Sequence, residues 1–149
     1  MTTEGHIKQT IQKDKQHQSL YNDPLYVVEN INEDVVVVDG CSPCAIVLTR
    51  VESTGIHIQD SSQSSHCESI ASCYGIACDN VGCILVSDWG SHRIHQIDMD
   101  GKFIQFILTQ QHGIQSPLGL SIDNKSQLWL CNNDGKEVNN LQVQIMNSD

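Results

Sequence analysis

The sequence predicts an all-β protein, a partial β-propeller of about three four-stranded blades. Three observations indicate this fold. Short β-branched runs separated by turn residues are typical of strands. A segment of the chain recurs at a shift of 44 residues, which is the length of one propeller blade. An Asp-Gly pair stands between two alternating apolar runs, where it indicates a tight hairpin.

Residues 1–22 are polar and rich in Gln and Lys, with too few apolar side chains to form a core. We expect this segment to be flexible, as a frayed helix or a disordered lead-in. Residues 23–149 are expected to form the propeller fragment. The N-terminus lacks the apolar run of a signal peptide, and no stretch approaches the roughly 18 apolar residues of a membrane span. We therefore expect a cytoplasmic protein without a membrane partner.

The strongest evidence for blades is an internal repeat. The stretch "YGIACDNVGCILVSDWG" at residues 74–90 resembles "LGLSIDNKSQLWLCNND" at residues 118–134. Gly75 aligns with Gly119 at a shift of 44 residues. A weaker copy, "YVVENINEDVVVVDG", precedes them, and loop insertions lengthen its shift to 49 residues. We expect the blades at about residues 25–60, 70–112 and 115–148.

Each copy has the same order of events. A strand that opens with a Gly-Ile or Gly-Leu pair leads into an Asp-Asn turn, and a second strand ends in Asp or Asn. In the middle copy "RIHQID" and "FIQFIL" flank the turn "MDGK". Gly101 suits this turn because glycine tolerates the positive φ that tight hairpins need. Four antiparallel strands in roughly 44 residues match the dimensions of a propeller blade.

The middle blade, "GIACDNVGCILVSDWGSHRIHQIDMDGKF", resembles an NHL repeat. It has the Gly-Ile-Ala opening, the apolar second strand ending in Asp, the Arg-Ile third strand and the Asp-Gly-Lys-Phe hairpin of that pattern. The order of the three copies resembles the C-terminal blades of tripartite-motif (TRIM) proteins from the large invertebrate set. This resemblance covers about residues 25–146. It implies a six-bladed propeller, of which three blades would be half.

The resemblance also implies a role. In TRIM proteins a RING domain recruits a ubiquitin-conjugating enzyme, and the propeller selects the substrate, usually a protein and sometimes an RNA. Residues 1–149 contain no RING, B-box or coiled coil, so we expect no enzymatic activity in these residues. The interpretation we favour is a non-catalytic protein-interaction module that binds a protein substrate or adaptor.

Two alternatives remain open, namely RNA binding through the propeller face and a fragment of a six-bladed, calcium-dependent hydrolase-like propeller. Eighteen Asp and Glu face eight Lys and Arg, which gives a net charge of −10. RNA is disfavoured because phosphate backbones are held by clustered Lys and Arg. The enzyme alternative needs Glu, Asp and Asn that converge from many blades, and half of the ring would be missing.

The loop after the second strand of the middle blade supplies the candidate binding residues. Such loops line one open face of a propeller, and a Trp with an Arg is typical of an interaction hot spot. The alternative for the Trp is a side chain half-packed between blades. We expect His92 and His95 to be exposed polar positions, and we find no Ser-His-Asp or Cys-His arrangement. The candidate binding residues are Trp89, Ser91, His92 and Arg93.

We expect no metal and no cofactor. Cys41 and Cys44 form a C-x2-C pair, which is half of a zinc site, but no second such pair follows. Cys78 and Cys83 lie on or beside predicted strands, where a small buried thiol fits. The seven cysteines are an odd number, and no secretory signal precedes them. Reduced thiols are therefore the default expectation.

Three residues recur at the end of the second strand, namely Asp39, Asp88 and Asn132. A ring of acidic residues that binds a cation is one interpretation. The other is a structural side chain that accepts backbone N–H groups in the turn that follows. We favour the structural interpretation because repeats preserve repeated structural roles.

Three blades leave two blade faces without a neighbour. Propellers avoid bare sheets by closing radially, and exposed apolar faces favour association. We therefore expect self-association or completion by remaining blades, and two copies would together provide six blades.

Overall fold

The computed structural model describes residues 5–7, 9–13, 17–40, 45–52, 55–60, 70, 72–132 and 138–141. These residues form three antiparallel sheets, and in each sheet consecutive strands pair with one another. The all-β prediction is confirmed. No helix in this described part of the chain is long and apolar enough to cross a membrane.

We call the three sheets blade 1, blade 2 and blade 3. Blade 1 contains β1 (Pro24–Glu29), β2 (Val35–Asp39), β3 (Ala45–Glu52) and β4 (Gly55–Asp60). Blade 2 contains β5 (Cys73–Cys78), β6 (Ile84–Asp88), β7 (Arg93–Ile97) and β8 (Phe103–Leu108). Blade 3 contains β9 (Pro117–Ile122), β10 (Leu128–Asn132) and β11 (Val138–Leu141), and a short 3₁₀ turn, Gln110–His112, precedes it. The fourth strand expected for blade 3 lies outside the described residues.

Blade 2 is buried on both faces because it lies between the other two sheets. All five residues of β6 are buried, and successive side chains of a strand point to opposite faces. Ile84 and Val86 join the core shared with blade 1. Leu85 joins the core shared with blade 3, where it packs with Leu128 and Leu130. The central sheet is therefore apolar on both sides, as a blade inside a propeller must be.

Four hairpin turns share one hydrogen-bond pattern. In each turn the Oδ1 atom of the first residue accepts the backbone N–H groups of the residues two and four positions later. For Asp98 these distances are 2.9 Å to Asp100 N and 2.8 Å to Lys102 N. Asp and Asn are suited to this role because their short side chains reach the backbone of the turn. The first residues of the four turns are Asn30, Asp79, Asp98 and Asp123.

The fourth residue of each turn adopts a positive φ, which favours glycine. Gly101 has a φ of 83°, as the hairpin prediction requires, and Gly82 has a φ of 95°. Glu33 and Ser126 adopt φ values of 63° and 60° at the same position. The side-chain hydrogen bonds and strand pairing therefore impose the turn even where the residue disfavours it.

Asp123 holds Trp129 as well as its own turn. Its Oδ2 atom accepts a hydrogen bond from the Trp129 indole Nε1–H at 3.0 Å. This indole bond, followed by the backbone N–H of Gln127, lowers the pKa of the Asp123 carboxyl below its usual value. A lowered pKa means that the ionised carboxylate stabilises the fold above the pKa of the unfolded chain. That contribution is lost as the pH falls through the folded-state pKa.

Blades 2 and 3 approach backbone to backbone at Gly75. Strand β9 contacts both β5 and β6. A Cβ atom at Gly75 would overlap the Leu118 carbonyl oxygen and lie 2.9 Å from Leu120 N. Across the same contact the Ser87 hydroxyl donates a hydrogen bond to the Leu118 carbonyl oxygen. A larger residue at Gly75 therefore requires the blades to separate.

The face of blade 1 that points away from blade 2 is covered over β2 and β3. Val37 and Val47 are paired directly across these strands and are 5% and 7% exposed, and Thr49 is fully buried. The Tyr21 hydroxyl lies 3.1 Å from the Thr49 hydroxyl. The expectation of a bare apolar face is therefore wrong for this part of blade 1. The flexibility of residues 1–22 stays a prediction.

The cysteines differ in their chemistry. Cys73 packs in the core between blades 1 and 2 and is disulfide-bonded to a partner outside the described residues. The expectation that all thiols are reduced is therefore wrong. Burial, assisted by the Asp79 carboxylate, raises the pKa of Cys78 to about 12, so this thiol is un-ionised at neutral pH. The free cysteines among the described residues are Cys78, Cys83 and Cys131.

We expect Gly75→Ala to lower the free energy of unfolding by about 2–3 kcal/mol, because overpacking at a backbone contact forces the two blades apart. Gly119→Ala, measured at a concentration at which the chain is monomeric, is the matched control, since a Cβ atom there would meet, among the described residues, the Cys131 sulfur alone at 3.8 Å. Its effect should stay within about 0.5 kcal/mol. Urea unfolding of both variants measures the difference, and equal losses would contradict the contact.

On acidification we expect Trp129 fluorescence to change with a midpoint below the ordinary pKa of aspartate, because protonation of Asp123 weakens the indole hydrogen bond. The measurement uses a Trp89→Phe background, which leaves one tryptophan. Asp123→Asn should remove the transition, and Asp100→Asn, at an exposed turn position, should retain it. A transition that persists in Asp123→Asn would refute this assignment.

Candidate functional site

Two connections meet at one end of blade 2. Antiparallel strands reverse direction at each turn, so the β6–β7 loop and the β8–β9 connection emerge opposite the hairpin turns. We call this end the loop face and define it by residues 89–92 and 109–116. Three of the predicted binding residues lie in its first segment, and Arg93 is the first residue of β7.

Strand-end side chains tie each blade to the segment that enters it. Asp39 accepts hydrogen bonds from the backbone N–H groups of Asn22 and Asp23 at 2.7 to 3.0 Å. Asp88 accepts the backbone N–H of Ser72 at 3.0 Å. In both blades the donors immediately precede the first strand. The carboxylate therefore joins the start of the first strand to the end of the second.

Asn132 performs the same task with an amide. Its Oδ1 atom accepts the Gln115 N–H at 2.9 Å, and its Nδ2 donates to the Gly113 carbonyl oxygen at 3.1 Å. The structural interpretation of the recurring position is confirmed. Of its predicted partners in the turn that follows, the described residues show one backbone N–H, that of Gly90, which donates to Asp88 at 3.2 Å. The other backbone N–H donors in this part of the chain come from the preceding segment, a contact that the repeat alignment does not indicate.

Asp88 is the centre of a buried polar cluster beneath the loop face. The Ser91 hydroxyl donates to its Oδ2 atom at 2.7 Å. His95 Nε2 lies 3.3 Å from the same oxygen, and the two side chains are 2% and 0% exposed. A Ser, a His and an Asp thus come together, but the carboxylate lies between the other two. The hydroxyl proton points to the carboxylate, whereas an activated serine needs the imidazole as its base.

The two histidines are not exposed polar positions, and that expectation is wrong. His95 is buried and contacts the Phe106 ring edge to face, with ring centroids 4.9 Å apart. His92 is half-buried with a φ of 57°. Its Nδ1 atom accepts the Ser116 N–H at 2.8 Å and so links the two segments of the loop face. Pairing with β6 and β8 turns His95 inward, which the alternation of β7 by itself does not specify.

Trp89 presents an aromatic surface at the loop face. It is 40% exposed, and its ring centroid lies 6.3 Å from that of Tyr74, which is 36% exposed. Its backbone N–H donates to the Ser72 carbonyl oxygen at 2.8 Å. Trp89 thus contacts the first strand of its own blade and keeps a large part of its ring in solvent.

A cleft of about 300 Å³ opens on the outer side of the loop face. The Arg93 guanidinium lies 4.5 Å from the centroid of the Phe106 ring, a cation–π contact that holds the charge at the wall of the cleft. The other wall is made of hydroxyl and amide side chains. The lining residues are Ser91, Arg93, Phe106, Thr109, Gln110 and Gln111.

The structure brings two of the four predicted residues, Ser91 and Arg93, into this cleft. Trp89 and His92 contact other parts of the loop face. The sequence interpretation missed Phe106 and the polar segment at residues 109–111. The signal was available in part, because the polar "TQQ" directly follows the apolar strand β8, and this connection must emerge beside the β6–β7 loop.

Metal-binding side chains do not cluster in the described residues, where no three His, Cys, Asp or Glu come together as a metal site. The Cys41–Cys44 pair lies outside those residues. The side chains described above act as hydrogen-bond partners, stacked rings and one stacked guanidinium.

Removal of the central carboxylate tests this cluster. We expect Asp88→Ala to lower the free energy of unfolding by about 3 kcal/mol, since each hydrogen bond to a buried charged group contributes about 1.5–3 kcal/mol. Asp98→Ala is the control, because it removes the same group from a turn whose bonds are exposed, and it should cost about 1 kcal/mol. Urea unfolding compares the two, and equal losses would contradict a central role for Asp88.

Comparison with known proteins supports the fold. Neither a protein-family model nor a curated protein sequence matches the chain. It is similar in structure to virginiamycin B lyase from Staphylococcus aureus, with a TM-score of 0.60 and 14% identity over 79% of this chain and 37% of that one. A luciferin-regenerating enzyme gives a TM-score of 0.61 and 14% identity over 81% and 42%.

A streptogramin B lyase gives a TM-score of 0.54 and 18% identity over 79% of this chain and 37% of that one. The chain thus spans about two fifths of the length of these solved structures. At identities this low the similarity shows a shared fold but not a shared activity, because one fold hosts many functions. The chain has the fold of a partial β-propeller.

Proposed function

We propose that the chain is a non-catalytic protein-interaction module whose loop face binds a partner polypeptide. This role is the one implied by its resemblance to the NHL blades of TRIM-type ubiquitin ligases, in which the propeller recognises the substrate. The proposal rests on the residues of the loop face and not on the fold, which the lyases also have.

Two observations carry the proposal, namely the cleft that Arg93 lines and the exposed pair Trp89 and Tyr74 on the same end of blade 2. Binding hot spots are enriched in Trp, Tyr and Arg, and this end of blade 2 combines all three. The stack on Phe106 restrains the Arg93 side chain, so less conformational entropy is lost when it contacts a partner.

The cleft chemistry suggests the kind of segment that binds. Among the described residues that line it, Arg93 carries the one formal charge, and the five N–H donors of a guanidinium allow it to bind a partner carboxylate beside its existing contacts. The Gln110 and Gln111 amides and the Thr109 hydroxyl supply both donors and acceptors for a peptide backbone. We therefore favour an extended segment that carries an acidic side chain beside an apolar one.

A peptide library tests the proposal. Random 12-residue peptides displayed on phage are selected on the immobilised 149-residue chain, and enriched peptides are titrated against variants by fluorescence anisotropy. Arg93→Ala should weaken binding about tenfold or more, as expected for loss of a hot-spot side chain. Lys102→Ala is the matched control, because it removes an exposed cation at the opposite end of the blade, and it should leave the affinity unchanged.

Other results would count against a peptide-binding loop face. Failure to enrich any peptide, or equal binding to the wild-type chain and Arg93→Ala, would contradict it. A labelled single-stranded polyuridine that binds with a steep salt dependence would instead favour the RNA alternative, because release of counterions from phosphates makes such binding salt-sensitive.

A further inference from the structure

In the contact between blades 2 and 3, strand β9 of blade 3 lies against β5 and β6 of blade 2. We call the surface of blade 3 in this contact the donor side and the surface of blade 2 the receiving side. On the receiving side, Gly75 leaves room for the backbone of Leu118 to Leu120, and Ser87 bonds the Leu118 carbonyl oxygen. Leu85, on the same face of blade 2, is fully buried by blade 3. On the donor side, Leu120 of β9 packs against that core.

Blade 3 repeats the receiving side, and no residue in the described part of the chain occupies it. A shift of 44 residues places Gly119, Trp129 and Cys131 where blade 2 has Gly75, Leu85 and Ser87. Among the described residues, nothing lies closer to a Cβ atom built at Gly119 than the Cys131 sulfur at 3.8 Å. Trp129 is 38% exposed, and Cys131 is exposed. We call Gly119, Trp129 and Cys131 the open seat.

Blade 1 repeats the donor side, and the corresponding residues of its first strand are exposed. Val27 corresponds to Ile76 and Leu120 at shifts of 49 and 44 residues, and both of these pack against cores between blades. Val27 itself is 68% exposed, and its neighbour Leu25 is 39% exposed. We call Leu25–Val27 the free strand.

We propose that the free strand of one copy of this chain docks on the open seat of a second copy. The repeat makes the two surfaces complementary halves of a contact that the chain already forms internally at Gly75. A pair with two such contacts leaves neither surface unoccupied, so a closed head-to-tail dimer is expected. This inference is independent of the proposed function, because it uses neither the cleft nor the loop face.

The covered part of blade 1 limits this contact to its first strand. Between blades 2 and 3 the first strand, β9, lies against β5 and β6, and Leu130 of β10 adds to the shared core. The residue of blade 1 that corresponds to Leu130 is Val37, which is already buried, so the docking surface consists of the exposed side chains of β1. Each copy carries a net charge of −10, so added salt should strengthen association by screening the repulsion between copies.

Analytical ultracentrifugation of the full 149-residue chain over a concentration series tests the proposal. A reversible monomer–dimer equilibrium is expected, and non-reducing gel electrophoresis of the dimer fraction should show a single-chain band, which excludes an intermolecular disulfide. Gly119→Val fills the seat, and Val27→Asp places a charge on the strand. Each should raise the dimer dissociation constant about tenfold or more. Ile104→Asp is the control, because it changes an apolar residue of β8 that is 40% exposed, and it should dimerise like the wild-type chain.

A mixture of the two variants distinguishes head-to-tail docking from other association. Gly119→Val retains its free strand, and Val27→Asp retains its open seat, so a mixture can form one intact contact and should associate better than either variant alone. Association of two seats face to face would gain nothing from mixing. A chain that stays monomeric at its highest soluble concentration would overturn the proposal, and so would variants that dimerise as well as the wild-type chain.

Discussion

A sheet that is apolar on both faces must be covered on both faces, and this constraint organises the chain. Blade 2 meets it fully, because Ile84 and Val86 face one neighbour and Leu85 faces the other. The contact at Gly75 sets how closely two blades approach, since the backbone of β9 occupies the place of a side chain. Blades 1 and 3 meet the constraint in part. In blade 1 Val37 and Val47 are covered, and in blade 3 the outer face carries Trp129, whose indole is bonded to the Asp123 carboxylate.

The two ends of the blades are built by different means. At one end four turns with a side-chain acceptor close the hairpins locally, and these bonds hold even where Glu33 and Ser126 must adopt a positive φ. At the other end Asp39, Asp88 and Asn132 bind the incoming segment across 16 to 19 residues of chain.

The buried polar cluster around Asp88 holds residues of the cleft in place. Asp88 holds Ser91 and lies beside His95, and His95 in turn supports the Phe106 ring on which Arg93 stacks. A guanidinium held in this way pays less entropy on binding than a freely rotating one. The polar cluster thus has a structural role whose consequence is a defined position for the charge in the cleft.

The amino-acid sequence by itself determined the strands, the turns and the repeat, because these depend on local alternation and on residues a few positions apart. It also predicted Ser91 and Arg93, which line the cleft, since a loop after a recurring strand end is visible as a pattern. Only the tertiary structure decided that His95 is buried, that Phe106 and Gln110 complete the cleft, and that Gly75 is occupied while Gly119 is open. These properties depend on which sheet lies against which, and identical residues at identical repeat positions differ because one has a neighbouring blade and the other does not.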